Sequence, residues 1–116
     1  MNDLRKLYNE IFTEGLLIHN LDFEITPSSG FLVELPSEGE AFEKTSLADF
    51  INFIKKKAHL LMYSENFLYV YKKGDRFVFT IGVHTSSHEE AVDLAFDYNQ
   101  DFIRNIDTKK FITLIK

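Results

Sequence analysis

The chain has 116 residues, of which 45% are hydrophobic and 27% are charged, so it is long enough to bury one core without crosslinks. It contains no cysteine, which excludes disulfides, thiolate metal sites and a cysteine nucleophile. Acids outnumber bases and give a net charge of −5, which disfavours a general affinity for nucleic acid.

The sequence carries no targeting signal and no membrane-spanning signal. Met1 is followed by a polar, charged segment, whereas a signal peptide has a basic start and then an apolar stretch. No apolar run approaches the length that is needed to cross a bilayer. We therefore expect one cytoplasmic domain over residues 1–116 that makes no contact with a membrane.

The first predicted element is an amphipathic helix over residues 3–14. Its apolar side chains recur at spacings of three and four residues, and Gly15 is a suitable stop. The apolar residues 16–18 that follow are expected either to extend a strand or to form a buried connector.

A first hairpin is predicted between residues 21–26 and 31–35, because apolar and polar residues alternate in both segments. One of its faces would carry Asp22, Glu24 and Glu34. This polar face predicts contact with water and a position near a sheet edge. The polar stretch after the hairpin is the longest loop that the sequence predicts.

A second helix is predicted to begin at Thr45 or Ser46. A hydroxyl at either position can accept hydrogen bonds from the free amides of the first helical turn. Apolar residues at regular helical spacing then continue to Leu61, which predicts that one face of this helix packs on the sheet.

The second hairpin, residues 67–71 and 76–83, is apolar on both faces and is therefore predicted at the centre of the sheet. A three-residue turn with Gly74 in the left-handed conformation would pair Tyr69 with Phe77 and place both rings on one face. We expect the second and third helices to cover one face. The first helix or a second subunit would cover the other.

The third helix is predicted to begin with a capping box formed by Ser87 and Glu90. Apolar residues at helical spacing predict that this helix continues to Ile106. A short final strand is expected at residues 111–115.

The element order α-ββ-α-ββ-α-β predicts an α+β fold, in which antiparallel hairpins pack against helices in a single layered domain. The two hairpin-helix units, about 21–62 and 66–106, would follow one another in tandem after the first helix.

An acidic row is the first candidate site, and its members are spaced by three or four residues along the predicted third helix: Glu90, Asp93, Asp97 and Asp101. Like charges at these spacings share one face and slightly destabilise a helix. A surface that tolerates this repulsion is suited to a basic partner. The alternative is a solvated helix face, on which the helix dipole alone favours acids near the N-terminus.

A basic set is the second candidate site, in a region where six bases face only two acids: Lys55, Lys56, Lys57, Lys72, Lys73 and Arg76. Because the second helix and the second hairpin are neighbours, these side chains could converge near Tyr69 or Tyr71. Phosphate contacts combined with base stacking would need that arrangement. Lysines at a turn tip and on an outer helix face are also ordinary solvated residues.

The sequence offers no strong sign of catalysis or metal binding. His84 and His88 are four residues apart, but one is predicted in a strand and the other in a helical turn, so they do not form a helical metal pair. No nucleophile elbow and no Gly-rich phosphate loop is present. We expect no cofactor and no metal. A small enzyme with an unrecognised carboxylate or histidine site is kept as a second alternative.

These patterns favour a small non-enzymatic protein that binds another macromolecule. A protein partner is expected, bound through the acidic row or through an aromatic sheet face that is left open in the monomer. Self-association into a homodimer through that face is a further expectation. The predicted role is that of a regulator, inhibitor or immunity-type partner of phage or mobile-element origin. The alternative is a nucleic-acid-binding protein that uses the basic set.

Overall fold

The computed structural model of the protein describes residues 4–21 and 25–114. Within these residues the chain forms three helices and seven strands, which confirms the predicted α+β class. The helices are α1 (Leu4–Glu14), α2 (Leu47–Leu61) and α3 (His88–Asp97). The strands are β1 (Leu16–His19), β2 (Phe31–Glu34), β3 (Glu40–Phe42), β4 (Asn66–Lys73), β5 (Arg76–Thr85), β6 (Phe102–Asn105) and β7 (Lys110–Thr113). None of the helices described is long and apolar enough to span a membrane.

All seven strands belong to one antiparallel sheet in the order β1-β4-β5-β2-β6-β7. β2 and β3 pair one after the other along the same edge of β5, which is ten residues long. β4 and β5 each have neighbours on both sides, which confirms the predicted central position of their hairpin.

The predicted pairing of the first hairpin is wrong. Residues 31–32 of β2 pair with β5 on one side and with β6 on the other, so both edges of this part of the strand are occupied. Residues 16–19 instead form β1 and pair with β4. The predicted strand residues 22–24 lie outside the described residues. Alternating hydrophobicity identifies a strand but does not select its partner.

The central hairpin has a tighter turn than predicted. Only Gly74 and Asp75 form this turn, and Gly74 has a φ of 60°. Glycine with a positive φ at the first of two central residues suits the twist of a two-residue hairpin. Because the turn is shorter than predicted and lies later in the chain, Tyr69 is opposite Thr80 and not opposite Phe77. Tyr69 and Tyr71 therefore lie on the face opposite to that of Phe77 and Phe79.

The helices cover one face of the sheet. α1 and α2 both pack on it, so of the two covers predicted for the other face, the first helix is wrong. The core beneath these helices includes Leu7, Ile11, Phe50, Phe53, Leu68, Val70, Phe79 and Ile81. α3 packs further along the sheet, where Ala91 and Ala95 contact Val33 of β2 and Ile103 of β6.

The opposite face is covered by the sheet itself, because β6 and β7 curl towards the central hairpin. Its buried residues are Ile18, Leu32, Phe67, Tyr69, Tyr71 and Ile106. The ring of Phe111 on β7 approaches the ring of Tyr71, with 5.4 Å between their centroids. We call this surface the tyrosine face.

The third helix is shorter than predicted, since α3 ends at Asp97 and not at Ile106. Asn99 has a φ of 54°, and asparagine commonly ends a helix in this left-handed conformation. Phe102 and Ile106, which fit a helical spacing, belong instead to β6 and the turn after it. The predicted final strand is confirmed as β7, although Ile115 lies outside the described residues.

Candidate functional site

A buried arginine lies at the centre of the tyrosine face. Arg104 on β6 is only 7% exposed, and its Nε donates a hydrogen bond to the hydroxyl of Tyr69. Its Nη1 donates to the backbone carbonyl of Lys109 at 2.8 Å. The guanidinium carbon also lies 4.1 Å from the ring centroid of Phe111, a distance at which cation and ring attract. Arg104 therefore links β4, β6 and β7.

Both tyrosines of the central hairpin are buried on this face. Burial raises the pKa of Tyr69, and the neighbouring charge of Arg104 offsets only part of the rise. Burial also raises the pKa of Tyr71, and the carboxylate of Glu34 raises it further. Both hydroxyls are therefore protonated at neutral pH, where they can donate and accept hydrogen bonds.

Glu34, at the end of β2, is the carboxylate of this site. Both of its side-chain oxygens accept from the hydroxyl of Tyr71 at 3.2 Å, and its backbone carbonyl accepts from Gln100 Nε2 at 3.0 Å. Burial raises the pKa of Glu34, although the hydrogen bond from Tyr71 acts in the opposite direction. Glu34 was expected to meet water at a sheet edge, but it is half-buried inside the sheet.

An open cleft of about 430 Å³ lies beside Glu34, and we call it the aromatic cleft. It is lined by Glu34, Tyr71, Lys73, Gln100, Asp101, Phe102 and Phe111. Two of the rings that line it, Phe102 and Phe111, are 45% and 43% exposed and lie 5.8 Å apart. A cleft of this volume is within the range of sites that bind small ligands or single side chains.

The acidic row is only partly on α3. Asp93 and Asp97 are exposed there, whereas Asp101 lies beyond the helix and lines the aromatic cleft. Glu90 accepts from the hydroxyl of Thr85 at 2.7 Å, so only the Ser87 half of the predicted capping box forms. Three exposed carboxylates of the row therefore lie on the helix, one of them bonded to Thr85, and the fourth lies at the cleft.

Half of the basic set is engaged in ion pairs. Lys56 pairs with Glu40 at 2.6 Å and Lys57 pairs with Glu38 at 2.7 Å. Arg76 pairs with Glu43 at 3.2 Å. The tyrosines that base stacking would need are 1% and 7% exposed. Lys73 is the member of the set that lines the aromatic cleft.

The two histidines near the start of α3 have separate contacts. His84 Nε2 lies 2.9 Å from the carbonyl oxygen of Ser29, and the ring of His88 packs against Phe31 with centroids 5.3 Å apart. In the part of the chain that the structure describes, no group of three or more His, Asp and Glu residues has the arrangement of a metal site.

Sequence reasoning missed the residues at the centre of the tyrosine face. Arg104 is absent from the predicted sites, because the sequence pattern predicts residues 102–106 as part of a helix. One signal in the sequence could have identified it. Arg104 is the single charged residue between Ile103 and Ile106, in a segment where the hydrophobic pattern changes from helical to strand spacing.

Glu34→Gln is expected to raise the free energy of unfolding at pH 7, and this gain should disappear in acid. Because burial raises the pKa of Glu34 in the folded protein, ionisation disfavours the folded state as the pH rises through that pKa. Below the pKa of the unfolded state, which is about 4.3, Glu34 is protonated in both states and the cost of burying its charge is absent.

Urea unfolding at pH 7 and at about pH 3.5 measures this difference. The exposed Glu65 provides the control variant Glu65→Gln, whose effect should stay within about 0.5 kcal/mol at both pH values. A stabilisation by Glu34→Gln that persists unchanged in acid would contradict the assignment.

The site thus combines an apolar wall, one half-buried carboxylate and hydrogen-bonding groups, which is the usual composition of a binding pocket. The chain matches no protein-family model, no curated protein and no solved structure.

Proposed function

We propose that this protein binds a protein partner that presents a basic segment, and that it acts as a regulator or inhibitor of that partner. The contact surface consists of the exposed acids of α3 and the aromatic cleft. The position of Asp101 carries the proposal, because this residue is a member of the acidic row and also lines the aromatic cleft.

Electrostatic steering supports this assignment. Asp93 and Asp97 are exposed on α3, and the whole chain is negatively charged. Complementary charge raises association rates and suppresses binding of the wrong partners. A basic segment would therefore be drawn to α3 first and then reach the cleft past Asp101.

Exposed aromatic side chains support it as well. Phe102 and Phe111 lie at the cleft and keep nearly half of their surface open, while Phe96 on α3 is 47% exposed. Large rings dominate the energetics of many protein interfaces because they bury much area and lose little conformational freedom. The rings would supply affinity, and the acids would supply selectivity for a basic partner.

The double charge reversal Asp93→Lys with Asp97→Lys tests the proposal. We expect capture of the partner to fall by at least about tenfold, because juxtaposed like charges cost more than ~1.4 kcal/mol at an interface. The measurement is affinity capture from a lysate of the source organism at physiological salt, with every captured protein quantified by mass spectrometry.

The matched control is Glu14→Lys with Glu65→Lys, which makes the same change in net charge at two other exposed acids. This control should retain the partner that the α3 variant loses. Equal retention by both variants, or equal loss from both, would contradict the proposal. Capture of nucleic acid that elutes at low salt without any protein would favour the basic set instead.

A further inference from the structure

We propose that the aromatic cleft receives the side chain of an arginine from the basic partner, with the guanidinium on the carboxylate of Glu34 and the aliphatic part against the rings. This inference rests on the proposed function and identifies the group that the cleft recognises.

The state of the Glu34 carboxylate is the first argument. Its neighbours Glu38, Glu40 and Glu43 each form an ion pair with a lysine or an arginine. Glu34 is half-buried, yet among the described residues its carboxylate forms no ion pair and accepts only from Tyr71. A carboxylate has about four acceptor positions, so most of its capacity remains for a ligand.

The shape of the cleft is the second argument. The rings of Tyr71, Phe102 and Phe111 form an apolar wall on the same cleft as Glu34. Arginine combines an aliphatic stem with a planar head that stacks on rings and pairs with a carboxylate through two parallel hydrogen bonds. A cation at this position would also offset the burial that raises the pKa of Glu34.

Two cations of the chain lie near enough to compete, and neither occupies this position. Arg104 is buried against Phe111, does not line the cleft, and donates to Tyr69 and Lys109. Lys73 lines the cleft, and its charge lowers the pKa of Glu34 against the larger effect of burial, but the two side chains are not close enough to form an ion pair. Lys73 would therefore repel an arginine from the partner, and replacing Lys73 by a neutral residue should relieve this repulsion.

The test is a titration of the ¹⁵N-labelled protein with the peptide acetyl-Gly-Arg-Gly-amide, monitored by NMR. We expect saturable shifts at the amides of Gln100, Asp101 and Phe111, with a dissociation constant on the order of 1 mM for so small a ligand. The control peptide contains citrulline, which has the shape of arginine without its charge, and it should bind at least about tenfold more weakly.

Two variants separate a specific site from general attraction. Glu34→Gln keeps the side-chain volume and an acceptor for Tyr71, and it should weaken binding of the arginine peptide at least about tenfold. Lys73→Gln removes the competing cation and should strengthen binding roughly two- to fivefold. Thermal unfolding of both variants verifies that they remain folded.

Failure of the arginine site is distinguishable from failure of the proposed function. No saturable shift at the cleft, equal binding of the citrulline peptide, or unchanged affinity in Glu34→Gln would overturn the arginine site. If the α3 charge reversal still releases the partner, the proposed function stands without it. If the arginine peptide binds as expected while the α3 variant keeps its partner, the acidic face is excluded from the contact.

Discussion

Arg104→Met is expected to lower the free energy of unfolding by about 3 kcal/mol, because it removes a buried hydrogen-bond donor and a ring contact together. The buried hydroxyl of Tyr69 and the carbonyl of Lys109 would each lose a donor, and the ring of Phe111 would lose the cation beneath it. Methionine keeps an unbranched apolar stem in place of the aliphatic part of arginine, so most of the change is the removal of the guanidinium.

Urea unfolding at pH 7 gives this difference, and Lys110→Met on the neighbouring strand is the control. Lys110 is exposed, so its replacement should change the free energy of unfolding by less than about 0.5 kcal/mol. Arg104→Lys should recover only part of the loss, since an ammonium group lacks the planar set of donors of a guanidinium. A cost below about 1 kcal/mol for Arg104→Met would show that the guanidinium does not organise the tyrosine face.

Loss of this guanidinium would also affect the aromatic cleft. Phe111 is 43% exposed, so the contact with Arg104 and the edge contacts with Tyr71 and Phe102 determine the position of its ring. The buried charge thus serves the open site, because it fixes one wall of the cleft from beneath.

Local patterns predicted those elements whose signal lies within a few residues. The central hairpin is apolar on both faces, and the start of α2 carries a hydroxyl cap at Ser46, which accepts from the amide of Asp49 at 3.1 Å. The elements with a strong period and a clear cap were therefore found. The end of α3 was missed because apolar spacing was followed past Asn99, a residue that often stops a helix.

Strand partners could not be predicted in the same way. The observed turn at Gly74 and Asp75 places Thr80 opposite Tyr69 where the predicted turn places Phe77, a shift of three residues (77 to 80). Because this shift is odd, it puts Tyr69 and Tyr71 on the face opposite to that of Phe77 and Phe79. The pairing of β2 with β6 joins segments about 70 residues apart, and no local pattern specifies such a contact.

The candidate site was predicted only in its parts. The sequence predicts an acidic row and an aromatic sheet face left open in the monomer, but the tyrosine face is buried beneath β6 and β7. Asp101 is predicted on a helix, and its position at the cleft depends on the turn after α3. The contact between Arg104 and Tyr69 spans 35 residues in sequence. Glu34 was interpreted as a solvated edge residue, because its burial depends on strands that pair over long distances.

A photo-crosslinker placed in the cleft is expected to attach covalently to the partner. Replacing Phe102 by p-benzoylphenylalanine keeps an aromatic ring at a position that is 45% exposed and lines the aromatic cleft. Because this group reacts only with atoms in direct contact, a product from position 102 reports the occupant of the cleft itself. The same replacement at Phe12 is the control, since Phe12 is 52% exposed but lies on α1, which packs on the other face of the sheet.

Crosslinking at position 102, compared with position 12, tests most directly whether the cleft and the acidic face form the binding surface. We expect one protein to be attached from position 102 and not from position 12, through a peptide rich in arginine or lysine. Adding Asp93→Lys with Asp97→Lys should remove that product. Attachment from position 12 alone, or a product from position 102 that survives the charge reversal, would contradict the proposed binding surface.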